Sequence, residues 1–385
     1  MTDTRREQTI RREQTTDAAR EARLLEIRRE AELTGRAAGP GIRPEGSPFP
    51  KASPETGYYG IHLLKEPQWT WEVPIYFFVG GAAGAAALIG GLARLTGKDK
   101  RLARDARLVA AGGAVVSTGL LIADLGRPER FLNMLRVFKI QSPMSVGAWV
   151  LALFSSTAGA AAFAQMVEQK SDFGPIRVLG NIAEGFSAAL GLPLATYTGV
   201  LIGATAIPAW HQNIKTLPIH FGMSGLASGV SILELVGNDE SPALNLLGIG
   251  ATAVESYEGF QLEFLRNGAA NRPLKHGLTG WTTRSGSVLS GPVPLALRLI
   301  ATVSGSRRLR RFAAWSSIAG SILTRVGWIY AGHNSARDWR IPLQIEETPS
   351  NQELESKPDV PRLRAESDML RASELSSPKR RDLTH

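Results

Sequence analysis

The stretch that decides the fold runs Pro74-Ile-Tyr-Phe-Phe-Val-Gly-Gly-Ala-Ala-Gly-Ala-Ala-Ala-Leu-Ile-Gly-Gly-Leu-Ala-Arg-Leu95. It holds a single charge, near its far end, and is apolar on every side. At 1.5 Å per residue it reaches about 33 Å, enough to cross the hydrocarbon layer of a bilayer. Its glycines and alanines matter as much as its length. Lipid gives no hydrophobic drive between helices, so a bundle holds where small residues let backbones approach. Trp69 and Trp71 precede it, with Tyr76 just inside, as aromatic residues do at a membrane–water boundary.

The same pattern recurs outward from this segment. Eight candidate spans lie at Pro74–Leu95, Ala103–Asp124, Met144–Met166, Gly180–Ile207, Pro218–Val236, Ala243–Leu265, Ser287–Val303 and Phe312–His333. The sixth is weakened by Glu255, Glu258 and Glu263, and the seventh is short and contains Arg298. The chain has 385 residues, of which 43% are hydrophobic, and a mean hydropathy of -0.06. That average conceals an uneven distribution: the two ends are polar and the apolar residues crowd into the middle. Three regions follow: a polar, Arg-rich tail over 1–57, a transmembrane bundle over 58–340 and a polar tail over 341–385. A single soluble globule is excluded. The expected class is all-α, a polytopic membrane bundle of about eight helices.

The N-terminal tail carries a near-repeat, Thr4-Arg-Arg-Glu-Gln-Thr9 and Ile10-Arg-Arg-Glu-Gln-Thr15. It has mixed charge, no apolar stripe to build a core and no apolar run of the kind that makes a secretory signal. The formal charge is +9, from 44 Lys+Arg against 35 Asp+Glu. No basic run is interleaved with base-stacking aromatics, so nucleic acid is not an expected partner; membrane lipid is. Basic residues divide almost evenly between the loops on the two sides and leave the orientation open. Cysteine is absent, which excludes thiolate catalysis, disulfides and a self-ligated iron–sulfur cluster.

Ionisable groups inside the spans carry the functional information, because a charge in hydrocarbon is costly unless paired or hydrated. Asp124 ends the second span, Glu184 opens the fourth, and Tyr197 follows four turns later. Glu255 and Glu258 share one face of the sixth, and Arg325 lies in the eighth. One reading is a proton path through Glu184, Glu255, Glu258 and Arg325 beside a pocket for a redox lipid, with Arg127 at its mouth. The other is structural, with Arg325 neutralised by Glu255 or Glu258. Glu263 and Arg298 are expected to snorkel to the interface, with Glu234 similarly bland. His62, His211, His220, His276, His333 and His385 do not offer an evident facing pair for a haem.

One long stretch goes further. Leu121-Ile-Ala-Asp-Leu-Gly-Arg-Pro-Glu-Arg-Phe-Leu-Asn-Met-Leu-Arg-Val-Phe-Lys139, with Ser142-Pro-Met-Ser-Val-Gly-Ala-Trp149 after it, resembles the NrfD/PsrC-like family of membrane subunits of polysulfide-reductase-type complexes. Val73-Pro-Ile-Tyr-Phe-Phe-Val-Gly-Gly81, Tyr197-Thr-Gly-Val-Leu201, and Arg325 with Ala331-Gly-His-Asn-Ser-Ala-Arg-Asp338 support it. The resemblance covers roughly 58–340. It implies two four-helix halves in a multi-pass protein of the inner (cytoplasmic) membrane. It implies a site for menaquinone or ubiquinone near one membrane face, with no metal or haem in this chain. The partners it implies are an iron–sulfur subunit of the 4Fe-4S ferredoxin-like kind and a molybdopterin catalytic subunit. By motif position Tyr197 is a candidate quinone partner, and Asp124 with Arg127 a candidate pair at the pocket mouth. Some relatives place histidine or asparagine where the first span begins; here the candidates are Gln68, Trp69 and Trp71, of which Gln68 and Trp71 are taken as quinone contacts. A proton translocator, and a structural anchor without its own quinone site, are the alternatives.

Overall fold

The computed structural model describes residues 63–97, 99–125, 129–170, 173–338 and 340–343, with Ala22 and Leu25. Both tails, His62 and Arg127 therefore lie outside the described residues. Within them every regular element is a helix. The long ones are α1 (Glu72–Thr96), α2 (Lys100–Asp124), α3 (Pro143–Glu168), α4 (Gly174–Gly203), α5 (Leu217–Leu233), α6 (Pro242–Phe260), α7 (Gly277–Ser290), α8 (Pro292–Ser304) and α9 (Arg307–Arg337).

Local signals set where they stop and start. Gly97 ends α1 at φ 65°, a left-handed cap that suits glycine. Two residues on, the side chain of Asp99 accepts from Leu102 N at 2.9 Å and opens α2. Ser142 and Ser306 cap α3 and α9 in the same way, and proline occupies the first turn of α3, α4, α5, α6 and α8.

Six segments are long and apolar enough to cross a membrane: α1, α2, α3, α4, α5 with its π-helical extension to Asn238, and α7–α8 taken together over Gly277–Ser304. The expected seventh span thus begins earlier than Ser287. It is also broken at Gly291, where Pro292 restarts the helix. Helices stand in the places expected for the sixth and eighth spans. They fall short in apolar content: α6 carries Glu255 and Glu258, and α9 begins Arg307-Arg308-Leu-Arg310-Arg311 and contains Arg325.

α1 to α4 pack on one another, and α5 to α9 form a second set. α1 joins them, touching α2, α4, α5 and α9. Its contacts are made by small residues. A Cβ at Gly84 would collide with the Gly191 carbonyl of α4, and one at Gly225 of α5 would lie 3.1 Å from the Gly81 backbone. The sequence's glycines are therefore the crossing points of the bundle. Large apolar side chains such as Val115, Phe163, Phe186, Leu246 and Val303 point outward, as lipid-facing residues do.

Candidate functional site

Packing of the helices gathers residues far apart in sequence at two ends of the bundle. One end holds aromatic residues. Tyr76, one turn into α1, and Tyr197, near the end of α4, are both buried, and their hydroxyls hydrogen-bond to each other. The Tyr197 ring lies against Gly147 of α3, where a Cβ would overlap it. Beside this pair Trp69 stacks on Trp210, with ring centroids 5.3 Å apart and planes 19° from parallel. Trp69 also meets the edge of Phe77. The Trp210 indole nitrogen donates to the Trp328 carbonyl at 2.7 Å, which ties the first half to α9. Glu66 adds a second tie, bonded to Arg337 at 2.7 Å and to His333 at 3.2 Å. The hydrogen bond from Arg337 holds the Glu66 carboxyl below the ordinary carboxylate range.

The candidates read from the sequence are spread over this frame. Tyr197 is in the aromatic cluster. Asp124 ends α2 at the same end, half-buried and within electrostatic reach of Glu72. Gln68 and Trp71 are exposed, Trp71 at 61%; the tryptophan that enters the bundle is its neighbour Trp69. Glu184 is elsewhere. Thirteen residues before Tyr197 on α4, it stands about 20 Å away at the opposite end. There it accepts from Arg94 at 2.7 Å and Arg107 at 2.5 Å. Arg127 lies outside the described residues.

The second half contains a different arrangement. Arg325 is fully buried. Its guanidinium donates to Ser224 Oγ at 2.8 Å, to the Ser321 hydroxyl and carbonyl, and sits 5.4 Å from the centre of the Phe221 ring. Glu255 is also buried, with Ser224, Ser290 and the Arg325 charge around it, yet neither carboxylate oxygen meets hydrogen-bond geometry among the described residues. Arg325 is thus solvated by hydroxyls and carbonyls, with Glu255 as a nearby countercharge without a direct bond. Glu258 does not serve Arg325 at all: it accepts from Arg266 at 2.8 Å. Arg266 in turn reaches Asn213 and Thr216.

Two of the bland expectations are corrected. Arg298 and Glu234 do not reach the interface. They form a buried two-point ion pair at 2.7 and 2.8 Å, with Arg298 also 3.3 Å from Ser231 Oγ. Glu263, by contrast, is partly exposed and paired with Arg284. The cost of carrying an arginine into the bundle is offset by a carboxylate placed opposite it from another helix.

Two cavities adjoin the second cluster. A pocket of about 530 Å³ opens between α6 and α7, lined by Phe260, Phe264, Val288 and Pro292, with the Glu263–Arg284 pair on its wall. Behind Gly259, Leu262 and Ser287, which line both spaces, lies a pocket of about 10 Å³ reached by His220, Glu258, Arg266 and Trp328. That volume suits one water molecule. Both His220 ring nitrogens lack a partner among the described residues.

A bundle of apolar spans, glycine crossings and buried ionic groups defines a polytopic integral membrane protein. Residues 63–238 match the model of the family described as polysulphide reductase, NrfD. Over that stretch the chain is similar to the NrfD family. The match takes in α1 to α5 and ends before α6, so it is shorter than the 58–340 expected from the sequence motifs. Arg325 and the Ala331–Asp338 motif lie outside it. No curated protein matches the chain.

Tyr76 and Trp210 complete the aromatic cluster around Tyr197 and Trp69 and were not among the sequence's site candidates. A signal existed for Tyr76, which sits in the Val73–Gly81 stretch. None existed for Trp210, whose place depends on a loop returning from α4.

Proposed function

We propose that this chain is the quinone-reactive integral membrane subunit of an oxidoreductase complex in the cytoplasmic membrane. In this reading it anchors an iron–sulfur subunit and a molybdopterin catalytic subunit and exchanges electrons between them and the quinone pool. The observation that carries the reading is the Tyr76–Tyr197 pair. Two phenol hydroxyls meet in an otherwise apolar interior, near the membrane boundary, and each can turn to a ligand carbonyl in place of its twin. The residues present fit a flat redox ring: two hydroxyls to hydrogen-bond and an indole stack on the adjoining wall. A bound quinone supplies two-electron, two-proton chemistry. The chain's part is to orient the ring, exclude water with its aromatic walls and offer a proton at a tyrosine oxygen. With no cysteine in the sequence, electrons reach the ring from a partner's clusters.

The test is Tyr197→Phe in the assembled complex. The ring over Gly147 is retained and one donor is lost. Quinone-linked turnover is expected to fall about 10-fold, the effect of about 1.4 kcal/mol, while activity with soluble acceptors is unchanged. Equal quinone-linked turnover in variant and parent refutes the placement. Photolabelling with a reactive quinone separates the two candidate locations: label on α1 and α4 supports the tyrosine pair, and label confined to the α6–α7 pocket moves the head group there.

A second reading, proton movement through the chain, is favoured by one observation: Glu255 is a buried carboxylate beside Arg325, with only the Ser224 and Ser290 hydroxyls near it and no ion pair among the described residues. Under it, Glu255→Gln abolishes proton uptake by proteoliposomes during turnover and leaves quinone-linked electron transfer near the parent rate. Unchanged proton uptake eliminates Glu255 from any path.

A further inference from the structure

At the end of the first half opposite the tyrosines, a third pocket, of about 690 Å³, lies between the last turn of α1, the first turns of α2, the end of α3 and the start of α4. These are the termini of four apolar spans, so the pocket sits where the hydrocarbon gives way to head groups. Arg94, Lys100, Arg104 and Arg107 line it. Arg94 and Arg107 share Glu184. Lys100 and Arg104 are exposed and form no ion pair among the described residues. Four cations thus face two carboxylates, Glu184 and Glu168, a net excess of two; Arg177 also lines the pocket and has contacts of its own.

The inner wall is polar and unsatisfied. Gln165 is 4% exposed, and its side-chain oxygen has no partner among the described residues; the same holds for Oε1 of Glu168. Both atoms are acceptors that call for a donor. Toward the membrane middle the neighbouring surface is apolar, with Leu108, Phe163, Met166 and Ile182 all exposed. A ligand that satisfies all three features carries an anionic phosphate for the cations, hydroxyls for Gln165 and Glu168, and hydrocarbon for the surface beyond. We infer that this pocket binds the head group of an anionic, hydroxyl-bearing phospholipid of the phosphoglycerol type. Basic pockets between membrane helices are suited to such head groups. The inference is independent of the quinone reading: it concerns other residues at the other end of the bundle.

The full chain is reconstituted in an equimolar mixture of phosphatidylglycerol and phosphatidylcholine, re-extracted in detergent, and its retained lipid quantified. Retained lipid is expected to be enriched at least about fivefold in phosphatidylglycerol, the preference one unpaired basic residue confers near a membrane surface. Lys100→Gln combined with Arg104→Gln should remove most of that enrichment. Arg307→Gln combined with Arg308→Gln, an equal charge change outside the pocket, should leave it. Equal retention of both lipids by the parent chain overturns the inference, as does equal loss in the two double variants. Inorganic phosphate is the remaining arm. If it raises the unfolding midpoint as much as phosphatidylglycerol does, the site is one for free anions and the lipid assignment fails.

Discussion

Arg298→Leu is expected to cost about 3–5 kcal/mol of stability, the penalty of leaving one partner of a buried ion pair uncompensated. The geometry leaves little room for relief. Both side chains are at or below 1% exposure, and the guanidinium makes two bonds to Glu234 and one contact to Ser231. Gly248 of α6 lies against the guanidinium, so no side chain there can turn in to replace it. Removing Arg298 strands a carboxylate near the end of α5. Removing both charges, as in Glu234→Gln with Arg298→Met, should recover most of the loss, since apolar replacement of a buried pair is often neutral. Thermal unfolding of the purified variants in detergent decides it. If the double variant is as unstable as the single, the ion pair is not the source of the effect.

The second large effect is steric. Gly84→Leu places a side chain where α1 meets α4 backbone to backbone. A Cβ alone already overlaps the Gly191 carbonyl and comes within 3.2 Å of the Ala195 nitrogen. Backbone cannot step aside as a side chain can, so the helices must separate. The expected cost is about 3 kcal/mol or more, read as lost folded protein after extraction. Gly119 of α2 is the control, because nothing lies within 4 Å of a Cβ there. Gly119→Ala should be neutral or stabilising by up to about 1 kcal/mol, the helix propensity difference. Similar losses at both sites would show that glycine content as such, and not the α1–α4 crossing, governs the fold.

These two sites show what a sequence can and cannot convey. The Gly80–Gly91 run announced close packing, and the crossings with Gly191 and Gly225 are its fulfilment. The helices of the first half follow from apolar length and from caps such as Asp99 and Ser142. Charge placement is harder to read. Snorkelling and internal pairing are alternatives for any arginine within reach of a span end. Only the position of Glu234, 64 residues away in sequence, decides for Arg298. Glu184 and Tyr197 share a helix, yet thirteen residues of helical rise put the proton-path candidate and the quinone candidate at opposite ends of it. Trp69 and Trp71 are equivalent in composition; which one enters the bundle depends on Trp210, delivered by a separate loop. The serines around Arg325, Ser224 and Ser321, are unremarkable in sequence and become its hydrogen-bond partners only when α5 meets α9.

The central position of α1 has a consequence for how such a chain is made. Of the described spans, the first to be synthesised is the one whose surface is later covered by α2, α4, α5 and α9. Its glycine face next to Arg325 stays open until α9 arrives. A product cut short before Arg307 would hold all six strongly apolar spans found among the described residues and still present an unfilled slot along α1. Membrane quality control could therefore recognise incomplete synthesis by the state of α1, with no need to sense the missing end.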